Sequence, residues 1–294
     1  MSVEVAPRLP DAGVPAARPM LDYAPWHLTA LGTGSGESWF RSAVVGGALP
    51  LKLDTEGSAP LAAFVAAFVP FLRRTRLALT GQRAIGIMHT RQRCEWHTPP
   101  PPAGVVGVIA DLVARQRVLA GTLLHLRANV MAGTSRWAVL DTECLVRGVA
   151  LASSTVKSTW ASTRFAAAEP VATRQVVIDR AHVWGFAETT GDTNPIHLED
   201  RYAHAAGLEG IVIHGTCGLG LAMEIAALDA PLGCRVRLAE ARFSRPLYAD
   251  VPIDAAVYAP AEDPRARLVV LSQERRVALR CRLGADETPR TEQP

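Results

Sequence analysis

Two long apolar stretches punctuate the chain. Each is followed by short runs in which apolar and polar positions alternate. The first stretch, "PLAAFVAAFVPFL" over 60–72, is too short to span a bilayer and is interrupted by Pro70. It predicts a buried helix over about 59–72. After it comes "AIGIMHTRQRCEWHTPPPP", an alternating strand ending at a Pro-rich turn, and then three strand-like runs, "GVVGVIADLVARQRV", "GTLLHLRANVMAG" and "SRWAVLDTECLVRGV". The second stretch predicts a buried helix over about 216–229. It precedes "CRVRLAEARFSRPLYADV", "PIDAAVYAPA", "ARLVVLSQERR" and "VALRCRLG". One apolar helix followed by an antiparallel meander, twice over, predicts a duplicated unit. The architecture is α+β, a curved sheet around one helix in each half, not alternating β-α-β.

Between the halves lies "LASSTVKSTWASTRFAAAEPVA" over 151–172, small, polar and aperiodic, which reads as a linker. The expected organisation is a loose N-terminus over 1–20, a first unit over 21–150, this linker, a second unit over 173–284 and a frayed tail over 285–294.

Composition narrows the class. Of the 294 residues, 49% are hydrophobic and 20% charged, enough to bury a core and too apolar for global disorder. The net charge is +3 without a basic stripe, which argues against nucleic-acid binding. The tightest basic group, Arg73, Arg74 and Arg76, follows the first apolar helix and reads as a solvated helix end; a contact for an anionic substrate handle is the second reading. Five cysteines stand singly with no CxxC pair, as expected of reduced cytoplasmic thiols. The first residues lack a basic start followed by an apolar run, so no leader and no membrane segment are predicted.

The chemistry concentrates in "TTGDTNPIHLEDRYAHAAGLEGIVIHGTCGLG" over 189–220. Gly-Asp-Thr-Asn-Pro is a turn sequence, and Pro195 suits the first turn of a helix. A short helix over 197–206 is expected, stopped by Gly207. Asp192 and Asn194 then lie in a loop, and His197 lies in the helix's first turn. A second helix starts near Thr216, leaving Gly215 where backbone N–H groups have no helical partner. A carboxylate and an imidazole can activate one water between them, Asn194 can hold the loop or that water, and the Gly215 N–H can receive charge developing on a carbonyl oxygen. That equipment suits adding water to, or removing it from, a carbon two bonds from a thioester carbonyl.

The segments "GDTNPIH" and "AHAAGLEGIVIHGTCGLG" resemble the signature of the MaoC-like (R)-specific enoyl-CoA hydratases, also called hydratase 2. The shared pattern is G-D-x-N-P-x-H, then A-x-x-x-G, then I-x-H-G. The resemblance implies a double hot-dog fold, two antiparallel sheets each wrapped around a central apolar helix, with only one half keeping the motif. It implies Asp192 and His197 as the catalytic pair, Gly215 as oxyanion donor and Asn194 as the residue assisting the water. The reaction implied is reversible hydration of a trans-2-enoyl thioester to the (R)-3-hydroxyacyl thioester, with no cofactor and no metal, in a homodimer. The partner is then an acyl-CoA or acyl-carrier-protein thioester. Nothing in the first half matches the motif, as expected of a degenerate half that shapes the acyl cavity. Leu208 stands where the family often has Phe, and Phe186 where it often has Tyr.

Other readings stay beside this one. The enzyme could be a dehydratase acting on carrier-bound fatty-acid or polyketide intermediates, or the chain could bind acyl thioesters without turning them over. His214 reads first as a structural hydrogen-bonding group that fixes the loop, second as a contact to substrate. Arg242 and Arg245 in "EARFSRP" could bind the phosphates of CoA or of a carrier arm, or could face solvent on an ordinary strand. Asp192, His197 and His214 have the residue types of a zinc or iron site, but an Asn-Pro turn is not a ligand cage. Cys217, with no partner thiol or base beside it, reads as a small helix residue.

Overall fold

The computed structural model describes residues 26–29, 87–98, 105–132, 134–147, 169–190, 192–228, 234–261, 263 and 265–287. The predicted first helix, the basic group after it, the N-terminal stretch and most of the linker lie outside the described residues.

All four strand-like runs of each half are strands. In the first half these are β2 (Ile87–Trp96), β3 (Val105–Val118), β4 (Gly121–Ala132) and β5 (Ser135–Arg147), preceded by a short β1 (Trp26–Thr29). In the second half they are β7 (Cys234–Phe243), β8 (Ile253–Tyr258), β9 (Arg267–Gln273) and β10 (Arg276–Glu287), preceded by β6 (Ala172–Val176). Thus β6 begins at the end of the expected linker, and β10 runs into what the sequence assigned to the tail.

The ten strands form one antiparallel sheet in the order β1-β3-β4-β5-β2-β7-β10-β9-β8-β6. The two five-strand runs have the same internal order, read in opposite directions from the β2–β7 seam. This topological repeat is what a duplicated unit produces, and it is visible where residue identity between the halves is not. The halves meet edge to edge, with Arg91 opposite Arg242 and Glu95 opposite Leu238.

Alternation fixes which face of the sheet is buried. In β8, Ile253, Ala255 and Val257 point inward while Asp254 is exposed. The inner face of the second half packs on the apolar helix α3 (Gly215–Leu228), with α1 (Arg180–Thr190) and α2 (Asp200–Ala205) near its start. Residues 217–226 of α3 are all buried, Glu224 being the one charged residue in an otherwise apolar run. The core includes Leu219, Ile225, Ile253, Leu271 and Leu279.

Helix α1 was not expected from the sequence. Its signal is nonetheless local: the Asp179 side chain accepts from the His182 N–H at 2.8 Å at the helix start, and Val183, Phe186 and Ala187 bury one face. The single helix expected over 197–206 is divided. Pro195–His197 forms a 3-10 turn, and α2 begins only at Asp200, because Glu199 is extended (φ −138°, ψ 124°). His197 therefore ends a tight turn instead of opening a helix. Gly207 stops α2 with φ 77°, as its position predicts.

Among the described residues, no helix is long and apolar enough to cross a membrane. Cys94, Cys144, Cys217 and Cys281 are buried free thiols, and burial pushes Cys94 and Cys144 up to about 12. Cys217 sits within the buried run of α3 as a small packing residue.

Candidate active site

Two segments build the site. The turn at 192–197 supplies Asp192, Asn194 and His197, and the segment at 211–215 runs alongside it. They are tied by the Val212 N–H, which donates to the Ile196 carbonyl at 3.3 Å. The second segment is itself held by the Ile213 N–H, which donates to Leu247 O at 2.7 Å. Asn194 caps the 3-10 turn, its side chain accepting from Ile196 N–H at 3.5 Å. Its own N–H donates to Asp192 Oδ1 at 3.4 Å. In this structure Asn194 therefore shapes the turn that carries the other two residues.

The protonation of both histidines follows from their partners. His197 Nδ1 lies 2.7 Å from the Val212 carbonyl oxygen, which can only accept, so Nδ1 carries the hydrogen and Nε2 holds a lone pair. His214 Nε2 lies 2.9 Å from the Asp192 carbonyl oxygen, so there the hydrogen is on Nε2. His214 thus fixes the loop through its backbone, the structural reading favoured for it. The two rings stack at 3.8 Å between centroids, and Phe186 of α1 lies against the His214 ring at 4.8 Å. Burial lowers the pKa of His197, opposed by the Asp192 charge and the Val212 carbonyl. Burial, then the neighbouring His197, holds His214 well below the usual imidazole range. Both imidazoles are neutral near pH 7, and His197 keeps an acceptor nitrogen beside the Asp192 carboxylate.

Gly215 is the first residue of α3. The His214 carbonyl accepts from the Gly218 N–H at 3.0 Å, so the amides of Gly215, Thr216 and Cys217 are the ones a helix start leaves without helical partners. A donor cluster at a buried helix N-terminus favours negative charge on a ligand oxygen. Asp192, His197, His214 and the Gly215 amide are thereby gathered in one place.

The two arginines are not. Arg242 lies on the face of β7 opposite Ala241 and is exposed, in line across the sheet with Arg91 and Arg280. Arg245 follows the strand, exposed, with Nη1 donating to the Val277 carbonyl at 3.5 Å. Arg242 on its strand and Arg245 just beyond it are both solvent-exposed, the position that either reading of them assumes.

Asp192, His197 and His214 offer ligand atoms all within 4.8 Å of one another. Each imidazole donates one ring N–H to a backbone carbonyl and keeps its other nitrogen as an acceptor, a set that a hydrogen-bonded water or an ion could use.

A residue the sequence reading passed over also borders the site. His89, from β2 in the first half, has Nδ1 3.5 Å from where a Cβ on Gly215 would lie, and its ring packs on Phe243 at 4.5 Å. Its only sequence signal is a histidine inside a strand, "IMHTRQ", two residues before an arginine.

With this geometry in place, comparison with known proteins adds the following. Residues 163–267 match the family model described as MaoC like domain. No curated protein sequence matches the chain. The structure of HtdX from Mycobacterium tuberculosis is similar, with a TM-score of 0.63 at 19% identity over 90% of this chain and 100% of that one. Full-length peroxisomal multifunctional enzyme type 2 from Drosophila melanogaster gives a TM-score of 0.64 at 15% identity, over 90% of this chain and 48% of that one. The 12:0-ACP thioesterase of Umbellularia californica gives 0.54 at 7% identity over 80% and 93%. Identities this low speak for fold alone, here the hot-dog fold.

Proposed function

We propose, from the match of residues 163–267 to the MaoC like domain model, that the chain is a hydro-lyase that hydrates a trans-2-enoyl thioester, reversibly, to the (R)-3-hydroxyacyl thioester. The observation that carries this reading is the lone-pair Nε2 of His197, its hydrogen fixed on Nδ1 by Val212, beside the Asp192 carboxylate. Water held between these two groups adds its oxygen to C3. The pair takes one proton from that water and returns one to C2. Negative charge develops meanwhile on the thioester oxygen, where the Gly215 N–H at the start of α3 would receive it. The same groups run the dehydration in reverse. The family match supports a hydro-lyase; the thioester carrier and the acyl group are part of the proposal, as is a homodimeric assembly.

The test is loss of enoyl absorbance when purified protein meets crotonyl-CoA and longer trans-2-enoyl-CoAs, with chiral analysis of product. Asp192→Asn and His197→Gln should each lower kcat/KM by about 10²–10⁴-fold while the fold persists. Unchanged turnover in either variant overturns the assignment. Turnover only of carrier-bound substrates would move the reading to a carrier-dependent dehydratase, and binding without turnover to a thioester-binding protein.

A further inference from the structure

His89 belongs to the half that lacks the motif, yet a local irregularity turns it toward the motif's site. In the β2–β5 ladder, His89 is opposite Cys144 and Arg91 is opposite Glu143, so Thr90 is an extra residue. Without this bulge, strict alternation would place His89 on the outer face with Arg91 and Arg93. With it, His89 joins Gln92 and Cys94 on the inner face. The Thr90 hydroxyl lies 2.9 Å from the Glu143 carbonyl oxygen and 2.8 Å from Glu143 Oε1, pinning the bulge.

A buried polar network then sets the ring. Gln92 and Thr142 are both 0% exposed. Gln92 Nε2 donates to the carbonyls of Arg93 and Asp141, each at 3.1 Å, which fixes the amide orientation because carbonyls only accept. Gln92 Oε1 therefore is the acceptor. It takes the Thr142 hydroxyl at 2.8 Å and His89 Nε2 at 3.0 Å. The His89 hydrogen is thus on Nε2, and the nitrogen facing Gly215 is the lone-pair Nδ1. Burial lowers the His89 pKa to about 4, so the ring is neutral near pH 7. Apolar side chains would fill the same space without polar atoms to satisfy; what the network adds is the direction of one acceptor.

An acceptor beside the start of α3 cannot serve the thioester oxygen, which is itself an acceptor and is matched by the Gly215 N–H. The 3-hydroxyl belongs with Asp192 and His197, and an acyl chain offers no donor. In a CoA or carrier-protein thioester, the first N–H along the arm is the cysteamine amide, four bonds from the carbonyl carbon. We propose that His89 is a substrate-binding residue of the thioester site and that its Nδ1 accepts a hydrogen bond from this amide N–H. The inference rests on the acyl-thioester reading above. It gives the first half a polar contact with substrate, beyond shaping a cavity.

The test uses two saturated ligands that cannot be hydrated: S-butyryl-N-acetylcysteamine, and its isostere with an ester oxygen in place of the amide N–H. The full chain, its His89→Leu variant and its His89→Asn variant, each checked for folding by circular dichroism and melting, are titrated with both. Wild-type protein should prefer the amide by about three- to tenfold, the span of one neutral hydrogen bond. His89→Leu should abolish that preference, and His89→Asn, which keeps an acceptor, should retain part of it. The preference is a ratio within each variant, so a general loss of affinity does not imitate it. No preference in the wild type, or an equal preference in His89→Leu, overturns the proposal. The matching crotonyl thioesters are assayed in parallel. Hydration without an amide preference leaves the hydratase reading standing and removes this one. A preference without hydration does the reverse, and failure of both butyryl ligands to bind overturns the proposal.

Discussion

The imidazoles of His197 and His214 lie face to face, 3.8 Å between centroids, and each donates its ring hydrogen to a backbone carbonyl of the segment that carries the other. His197 donates to Val212, two residues before His214; His214 donates to Asp192, five residues before His197. The arrangement is a reciprocal clasp between loop and helix start, and it leaves the lone pair of His197 free for chemistry.

Removing one side of this clasp should separate position from chemistry. His214→Ala leaves the Asp192 carbonyl without its donor and takes the ring from behind His197. A stability loss of about 1–3 kcal/mol is expected. In the hydration assay kcat should fall about ten- to a hundredfold, less than for His197→Gln. Urea unfolding and steady-state kinetics on the same preparations check both; a kcat loss as deep as that of His197→Gln would make His214 a chemical participant.

Acid should weaken the fold in a defined window. His89, His197 and His214 all have lowered pKa values, led in each case by burial. Between the folded pKa and the unfolded value near 6.5, the unfolded chain binds more protons, so stability falls as the pH drops. Their contribution is complete above about pH 6.5 and declines below it, the part due to His89 ending near pH 4. Urea midpoints from pH 7.5 to 4.5 should show this decline, and His89→Leu should make it shallower. A parallel decline in the variant would mean that His89 titrates normally.

Gly215→Ala should fold. Its Cβ would meet Phe243 Cε1 at 3.4 Å and His89 Nδ1 at 3.5 Å, ordinary contact distances. The methyl would, however, stand beside the amide to which the proposed mechanism assigns the developing charge. We expect a kcat/KM loss of about ten- to a hundredfold with little change in melting temperature, the approach to that donor being narrowed. Unchanged kinetics would place the oxyanion elsewhere.

Two glycines away from the site should differ sharply. Gly121 opens β4 with φ 145°, and a Cβ there would lie 2.0 Å from the Val146 carbonyl oxygen. Gly121→Ala should cost more than about 3 kcal/mol. Gly207 has φ 77° but open space around it, so Gly207→Ala should cost only about 1–2 kcal/mol, the strain of a left-handed backbone alone. Denaturant midpoints of the two variants give the comparison directly.

Strands and the polar turn were legible because their signals are short-range. Short apolar runs in β8 and β9, the Asn-Pro turn and the Gly207 stop each declare themselves within a few residues. Helix α1 gives a weaker signal: Asp179, Val183, Phe186 and Ala187 mark a capped amphipathic turn, but its buried face is narrow and interrupted by exposed residues, unlike the continuously apolar α3. The split at Glu199 follows from a 3-10 turn held by Asn194 and Pro195, a single turn too short to leave a helical period in the sequence. His89 was illegible for a deeper reason. Its direction is set by one extra residue against β5, and its neighbour Gly215 lies 126 positions away. Pairing of that kind leaves no local mark. The arginines of "EARFSRP" were legible as exposed residues, and strand parity does place Arg242 on the outer face.

The seam between β2 and β7 joins two copies of one unit within a single polypeptide. Were these copies separate, identical subunits, every change on one side of the seam would be repeated on the other. Joined covalently, they are released from that repetition. One copy can keep the Asp-Asn-His turn while the other gives it up and offers a bulged strand and a histidine instead. Each unit is free to change by itself, so two topologically equivalent halves can bring different residues to one place in the fold.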